Sequence, residues 1–297
     1  MITTGQWADA LEPIAIKGFE LGKKELPQDK NILFNVKKSD KLTETYLEIG
    51  DIGNMDEFTG TVDYDDMAQG YKMTITAKEY AKGIKIQKKL ARTDQINVIS
   101  SRSQALGRAA RRRVLSDTYF GYNNAFNTSI TTLDTLQLCS SAHTSHGNQG
   151  GASQANYGTT AFSAVAVEAV RIAMAKFKTN TDQDIDADGD MLLLPLDLQE
   201  KGYEIISSSG KVDTANNNVN FHKGKYKMMV SRKLTDSNNW FMIDSELLKE
   251  MAIWNDVDPL EFGQAEDFDG LVAKYRAYMF YGYGFIDWRF IFGSEVS

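Results

Sequence analysis

Apolar positions change their spacing several times along the chain, and each change marks an element. Up to about Lys41 they are sparse and unphased, with lysine pairs at Lys23-Lys24 and Lys37-Lys38. This segment reads as an extended arm with one short helix, ordered by lying along another subunit. From Thr43 to Gln87 the period becomes two: Tyr71, Met73, Ile75 and Ala77 alternate with Lys72, Thr74, Thr76 and Lys78, as in a half-buried β-ribbon. The acidic, glycine-bearing run from Asp51 to Gly70 supplies its turns. A two-stranded ribbon is marginal alone in water, so a long projecting one is expected to dock on a neighbour; the alternative is an edge hairpin of an ordinary sheet.

Asp94 to Phe126 predicts one long helix, with Ile99, Leu106, Ala110 and Val114 at helical spacing and Gly107 as the one turn former inside it. It would span roughly 50 Å, more than a compact core requires and suited to the backbone of a flat or elongated subunit. Leu138 to Tyr157, rich in Gly, Ser and Asn, predicts a long exposed loop and a domain boundary. Ser163 to Lys178 then reads as a helix with Ala166, Val170, Ala173 and Phe177 on one face. Met191 to Pro195 is a short buried strand, and Asp197 with Glu200 resembles a capping box opening another helix.

Strands follow at Phe221 to Val230 and Trp240 to Asp244, separated by the turn former Asp236-Ser-Asn-Asn239. Near the end, Tyr275, Ala277 and Met279 alternate with Lys274 and Arg276, and Ile286, Trp288, Phe290 and Phe292 line one face. Gly282-Tyr-Gly284 predicts the turn between these two closing strands. If they pack on the long helix, one lobe is discontinuous in sequence and a second lobe is inserted into it, an α+β arrangement. No internal repeat occurs.

Composition narrows the function. With 297 residues, 42% hydrophobic and 25% charged, the chain is that of a folded soluble protein with a sizeable core. The single cysteine, Cys139, excludes an internal disulfide framework or a multi-thiolate zinc site and suits a reducing compartment. No apolar run of about 18 residues suggests a membrane span, and Met1 to Ala10 lacks the basic and apolar regions of a secretory signal. A net charge of -7 disfavours a dedicated nucleic-acid binder.

Candidate chemistry is thin. Asp184, Asp186, Asp188 and Asp190 alternate as in a calcium loop, but the twelfth position is Pro195 where such a loop needs a bidentate glutamate. The run reads as a solvated acidic turn, with a weak cation site shared between subunits as the alternative. Cys139, His143 and His146 lie close in sequence, yet His222 is the one further histidine, so a four-ligand zinc set does not close. A Cys-His nucleophilic pair lacks a visible group to orient its base. Arg102, Arg108, Arg111, Arg112 and Arg113 form a dense basic cluster on the long helix. Arg108, Arg111 and Arg112 share a side away from the apolar stripe, where they are either solvated or meet acidic patches of neighbouring subunits or enclosed nucleic acid. No phosphate loop, nucleophile elbow, dinucleotide fingerprint or zinc-protease motif occurs.

Three blocks resemble, in order and spacing, the major head subunits of tailed bacteriophages, in particular the Mu-like family. They are Leu138-Cys-Ser-Ser-Ala-His143 with Asn156-Tyr157, Leu192-Leu-Leu-Pro195 with Asp197-Leu198, and Gly282-x-Gly-Phe-x-Asp-Trp288 to Phe292-Gly-Ser294. The resemblance implies the Hong Kong 97 capsid fold: an N-terminal arm (1–42), an extended β-hairpin loop (43–86), a peripheral domain with a long spine helix (87–135 and 262–297) and an inserted axial domain (136–261). It further implies a major capsid protein that assembles into hexamers and pentamers of an icosahedral or prolate head around double-stranded DNA. Maturation would bend the spine helix and tilt the ribbon. Expected partners are other copies, portal, scaffold and decoration proteins, and DNA without sequence preference. Expected absences are a membrane, a cofactor and catalysis; the expected location is the virion, after assembly in the bacterial cytoplasm.

Some relatives carry an N-terminal scaffolding segment or lysine–asparagine cross-links. No coiled-coil scaffold region is visible, so a separate scaffold acts or the segment is absent from this chain. Lys72, Lys78 and Lys82 are the inter-subunit candidates near the ribbon, without a motif that transfers the cross-link. Rival readings are the shell of an encapsulin-like bacterial nanocompartment, a tail or decoration protein, and a cation-dependent enzyme using Asp184 to Asp190.

Overall fold

The computed structural model describes residues 6–25, 27–49, 52, 55, 57, 58, 60, 62, 64, 69–89, 96–146, 150–210, 218–267 and 269–297. Much of the predicted turn region from Asp51 to Gly70, and Asp94 at the predicted helix start, lie outside these residues. In chain order come helix α1 (Gln6–Lys24), the single turn α2 (Lys30–Leu33) and strands β1 (Asn35–Lys38), β2 (Thr43–Ile49), β3 (Gln69–Thr76) and β4 (Lys78–Gln87). The long helix α3 (Ile96–Asn123) is followed by β5 (Tyr157–Gly158), α4 (Ala164–Met174), β6 (Met191–Pro195) and α5 (Gln199–Ser207). Then come β7 (Lys227–Ser231), β8 (Trp240–Ile243), α6 (Ser245–Met251), β9 (Ala252–Asp267), β10 (Val272–Phe285) and β11 (Ile291–Ser294). They form a four-stranded sheet β1-β9-β10-β4, a five-stranded sheet β5-β11-β8-β6-β7 and the ribbon β2-β3. Two compact units result, each drawn from three stretches: 1–43, 76–118 and 254–283; and 44–75, 119–253 and 284–297.

In the first unit, α1 and α3 cover one face of the four-stranded sheet. The predicted stripe of α3 is buried, with Ile99 and Leu106 essentially inaccessible. Ile99 packs with Ile86, Ala273 and Tyr275, and Leu106 and Ala110 pack with Ala277 and Phe19. The expectation of an extended arm ordered on another subunit is corrected here. The segment forms a 19-residue helix whose Ala15 and Phe19 are buried in the chain's own core. Close approach makes this possible: a Cβ on Gly18 would stand 2.6 Å from the Ser100 carbonyl oxygen, and one on Gly107 would stand 2.9 Å from the Lys23 nitrogen. Gly107 is therefore a packing contact inside α3, and the helix runs through it.

The second unit is built on β6, which pairs with β8 and β7 at its two edges and is buried at every position. Phe162, Val167, Met174, Leu194, Trp240, Met242, Trp288 and Phe292 fill its core. Ser163 caps α4 by accepting the Ala166 N–H at 3.2 Å. In β3, Ile75 is buried and Tyr71 and Met73 half-buried, whereas Lys72, Thr74 and Thr76 are exposed, as the period-two pattern requires.

Four local expectations need correction. Gly282-Tyr-Gly284 is not a turn but the far end of the continuous strand β10; the chain reverses after Phe285. Gly284 is needed for space, since a Cβ there would meet the Ile75 side chain at 3.0 Å. Asp197 makes no capping hydrogen bond; a 3-10 turn over Leu196–Leu198 leads into α5 instead. The strand expected from Phe221 begins at Lys227, after a turn. The loop from Leu138 to Tyr157 is anchored at both ends, with Leu138, Cys139, Ser140, His143 and Asn156 buried.

Candidate functional site

The blocks that carry the resemblance meet around one buried amide in the second unit. Asn156 Nδ2 donates to the carbonyls of Leu138 at 2.9 Å and Ile291 at 3.1 Å, and Asn156 Oδ1 accepts the Ser140 N–H at 2.8 Å. Its backbone continues the tie, with the Gly293 N–H donating to the Asn156 carbonyl at 2.9 Å and the Asn156 N–H to Ser140 at 3.1 Å. Gly293 is small for a reason: a Cβ there would stand 2.6 Å from Cys139 Sγ. Loop and C-terminal strand thus form one polar seam under an apolar core, and its buried donors and acceptors are paired, as burial demands.

Beside it, His143 stacks on Trp288 with ring centroids 4.3 Å apart and planes 8° from parallel. Its Nδ1 lies 2.6 Å from Asp134 Oδ2 and its Nε2 3.0 Å from Asn156 Oδ1. The group that orients this base, missing from the sequence reading, is therefore Asp134. Cys139 offers no matching nucleophile, because full burial raises its thiol far above the usual range and keeps it protonated. The stack and seam hold structure together.

The basic cluster divides. Arg108 pairs with Glu25 at 3.0 Å, Arg111 is buried and donates to the Pro27 carbonyl, and Arg113 pairs with Asp117 at 2.8 Å. Of Arg108, Arg111 and Arg112, expected on the side away from the apolar stripe, Arg111 is buried and Arg108 half-buried, while Arg112 is exposed, as are Arg102 and Arg113. Asp117 is buried and additionally accepts the Tyr281 hydroxyl at 2.6 Å, a network that no sequence motif signals.

The acidic run alternates in exposure: Asp184, Asp186 and Asp188 are exposed, and Ala187 and Gly189 are buried. Asp190 is used inside the chain, accepting the Ser245 N–H at 2.8 Å and the Ser245 hydroxyl at 2.6 Å. Among the described residues no cluster of His, Cys, Asp or Glu could hold a metal ion.

A sequence model of the phage capsid protein family matches residues 70–293. The chain belongs to that family. Among curated proteins none matches its sequence. In fold, this capsid protein is similar to the capsid of the cyanophage P-SCSP1u, with a TM-score of 0.61 at 11% identity over 90% of this chain and 87% of that one. The procapsid of bacteriophage JBD30 aligns with a TM-score of 0.54 at 14% identity over 99% and 76%, and the capsid of an empty GTA particle with 0.54 at 12% over 91% and 90%. The fold is the Hong Kong 97 type of tailed-phage capsids, as the sequence blocks implied.

On this capsid protein the segment between β2 and β3 carries exposed large side chains. Met55 is 99% and Tyr64 85% accessible, with Ile52, Phe58 and Val62 also exposed. Lys72 on β3 and Lys78 and Lys82 on β4 are exposed as well. At the root of the ribbon, Glu48 accepts the Tyr71 N–H at 3.0 Å and a hydrogen bond from Asn180, whose Oδ1 accepts from Arg289.

Proposed function

We propose that this chain is the major shell subunit of a tailed-phage head, closing into hexamers and pentamers that enclose double-stranded DNA. The family match over residues 70–293 carries this reading. The domain roles follow from it: the β2-β3 ribbon and the segment between its strands as the extended loop, the first unit with α3 as the peripheral domain and the second unit with the five-stranded sheet as the axial domain, while the N-terminal segment 1–42 packs α1 into the first unit's own core in place of an extended arm. Exposed large apolar side chains at Met55, Phe58 and Tyr64, gathered in one segment, support an extended loop that covers a neighbouring copy.

Head-to-tail contacts between identical copies close into rings when the rotation permits. Arg102 and Arg112 are the free ends of the basic cluster available to a neighbour or to DNA, and Lys72, Lys78 and Lys82 lie where inter-subunit contacts of the loop would form. Portal, scaffold and decoration proteins complete the partner set, the location is the virion after assembly in the host bacterial cytoplasm, and the work is structural rather than catalytic.

Electron microscopy of the protein purified after expression, alone and with the portal and scaffold candidates encoded beside it, tests the reading. Closed shells of phage-head size or hexameric and pentameric capsomers are expected. Small uniform empty cages that hold a co-expressed enzyme, or a chain that stays monomeric under every condition, would overturn it.

A further inference from the structure

The hydrogen bonds around Asn156 fix the protonation of His143. Asn156 Nδ2 faces three carbonyl oxygens, those of Leu138 at 2.9 Å, Ile291 at 3.1 Å and Trp288 at 3.4 Å. Its Oδ1 takes the Ser140 N–H at 2.8 Å. Turning the amide over would set oxygen against carbonyls and an NH2 against an N–H, so its orientation is determined by its partners. His143 Nε2 sits 3.0 Å from that same Oδ1 and must therefore present a hydrogen.

The other ring nitrogen, Nδ1, lies 2.6 Å from Asp134 Oδ2. Asp134 is set up as an acceptor, because its Oδ1 takes the Thr132 hydroxyl at 2.6 Å and the Leu136 N–H at 3.2 Å. Burial alone would raise this carboxyl, but hydrogen bonds from His143 and Thr132 outweigh it and the net shift is downward. A carboxylate as acceptor leaves Nδ1 as the donor. The stack on Trp288 is favourable for a cationic ring over an indole face.

We infer that His143 donates from both ring nitrogens, as an imidazolium paired with the Asp134 carboxylate, and that this proton latches the C-terminal turn Asp287 to Ile291 onto the loop Leu138 to Asn156. Losing it would set the Nε2 lone pair against the Asn156 oxygen, and the amide has no second orientation to offer. The other charged groups around the cavity beside this node are Glu48, Asp287 and Arg289. Arg289 lies 4.8 Å from the Trp288 ring centroid, and its charge is matched by Asp287 at 2.6 Å.

One measurement tests this on the intact protein. Solid-state NMR of assembled particles carrying 15N-labelled histidine is expected to show, at about pH 8, one of the three rings with both nitrogens protonated; His146→Gln and His222→Gln leave that signal and His143→Gln removes it. Three neutral rings at that pH would overturn the inference. The wild-type spectrum alone carries the test should a variant not fold.

Discussion

The Asn156 side-chain amide donates to the Ile291 carbonyl at 3.1 Å, across 135 positions of sequence. That bond and its companion to Leu138 fasten the loop before β5 to the start of the last strand. Replacing Asn156 by Leu keeps the side-chain branching and removes its polar atoms, leaving the Ser140 N–H, the His143 Nε2–H and the Leu138 and Ile291 carbonyls without their partner. The expected loss is about 3 kcal/mol or more, read as a lower denaturant midpoint of the unassembled subunit. A midpoint equal to that of the wild type would contradict this accounting.

Gly107 offers a test in which two effects have opposite signs. On an exposed helix surface Gly→Ala stabilises by about 1 kcal/mol. Here the added Cβ would lie 2.9 Å from the Lys23 backbone nitrogen, and backbone yields poorly. Gly107→Ala is therefore expected to lower the melting temperature, and Gly107→Leu to abolish soluble folded subunit. Stabilisation by Ala would show that α1 does not rest on α3.

Acid should weaken the second unit through Asp134. Its carboxyl is held below the usual range in the fold, so its contribution is present above the ordinary carboxylate value of about 3.9 and is lost as pH falls below it. Asp134→Asn is expected to lose stability at neutral pH and to flatten the acid limb of the stability curve. An acid limb identical to that of the wild type would place the acid sensitivity elsewhere.

Burial of Cys139 predicts a silent thiol. With its ionisation pushed far up by desolvation and Gly293 lying against it, iodoacetamide at about pH 8 is expected to leave the native protein unlabelled and to alkylate it after denaturation. Mass spectrometry decides, and rapid labelling of the native chain would mean that the loop opens.

Replacing Met55, Phe58 and Val62 together by Ser separates folding from assembly. All three side chains are exposed in the subunit, so its melting temperature is expected to move by no more than about 1 °C, as for surface substitutions away from packed features. Shell yield on electron micrographs should collapse. Normal shells from the triple variant would remove the extended loop from the assembly interface.

How far the sequence could be read depended on whether burial left a periodic trace. The stripe Ile99, Leu106, Ala110 and Val114 fixes α3 because one helix face meets one sheet, and Met191 to Pro195 announces β6 because both of its faces are covered. The length of helix α1, expected only as one short helix, escaped notice because it packs in part through Gly18 and Gly22, where closeness of backbones replaces an apolar side chain. The 16-residue strand β9 escaped for a similar reason: its two faces change from buried to half-exposed along its length, so no single period persists.

What the sequence settled by itself was the class of object: a folded acidic chain with one cysteine, a long helix, a period-two ribbon and ordered blocks shared with phage head subunits, all of them properties of local pattern and composition. Tertiary structure alone decided that Gly282-Tyr-Gly284 continues a strand, that Arg111 turns inward, and that Asp134, His143, Asn156 and Trp288 form one polar node. Each of those depends on what lies opposite a residue across space. A chain records its own periodicity, but a glycine chosen for a neighbour's side chain and a histidine chosen for a distant carboxylate look, in sequence, like any turn and any loop.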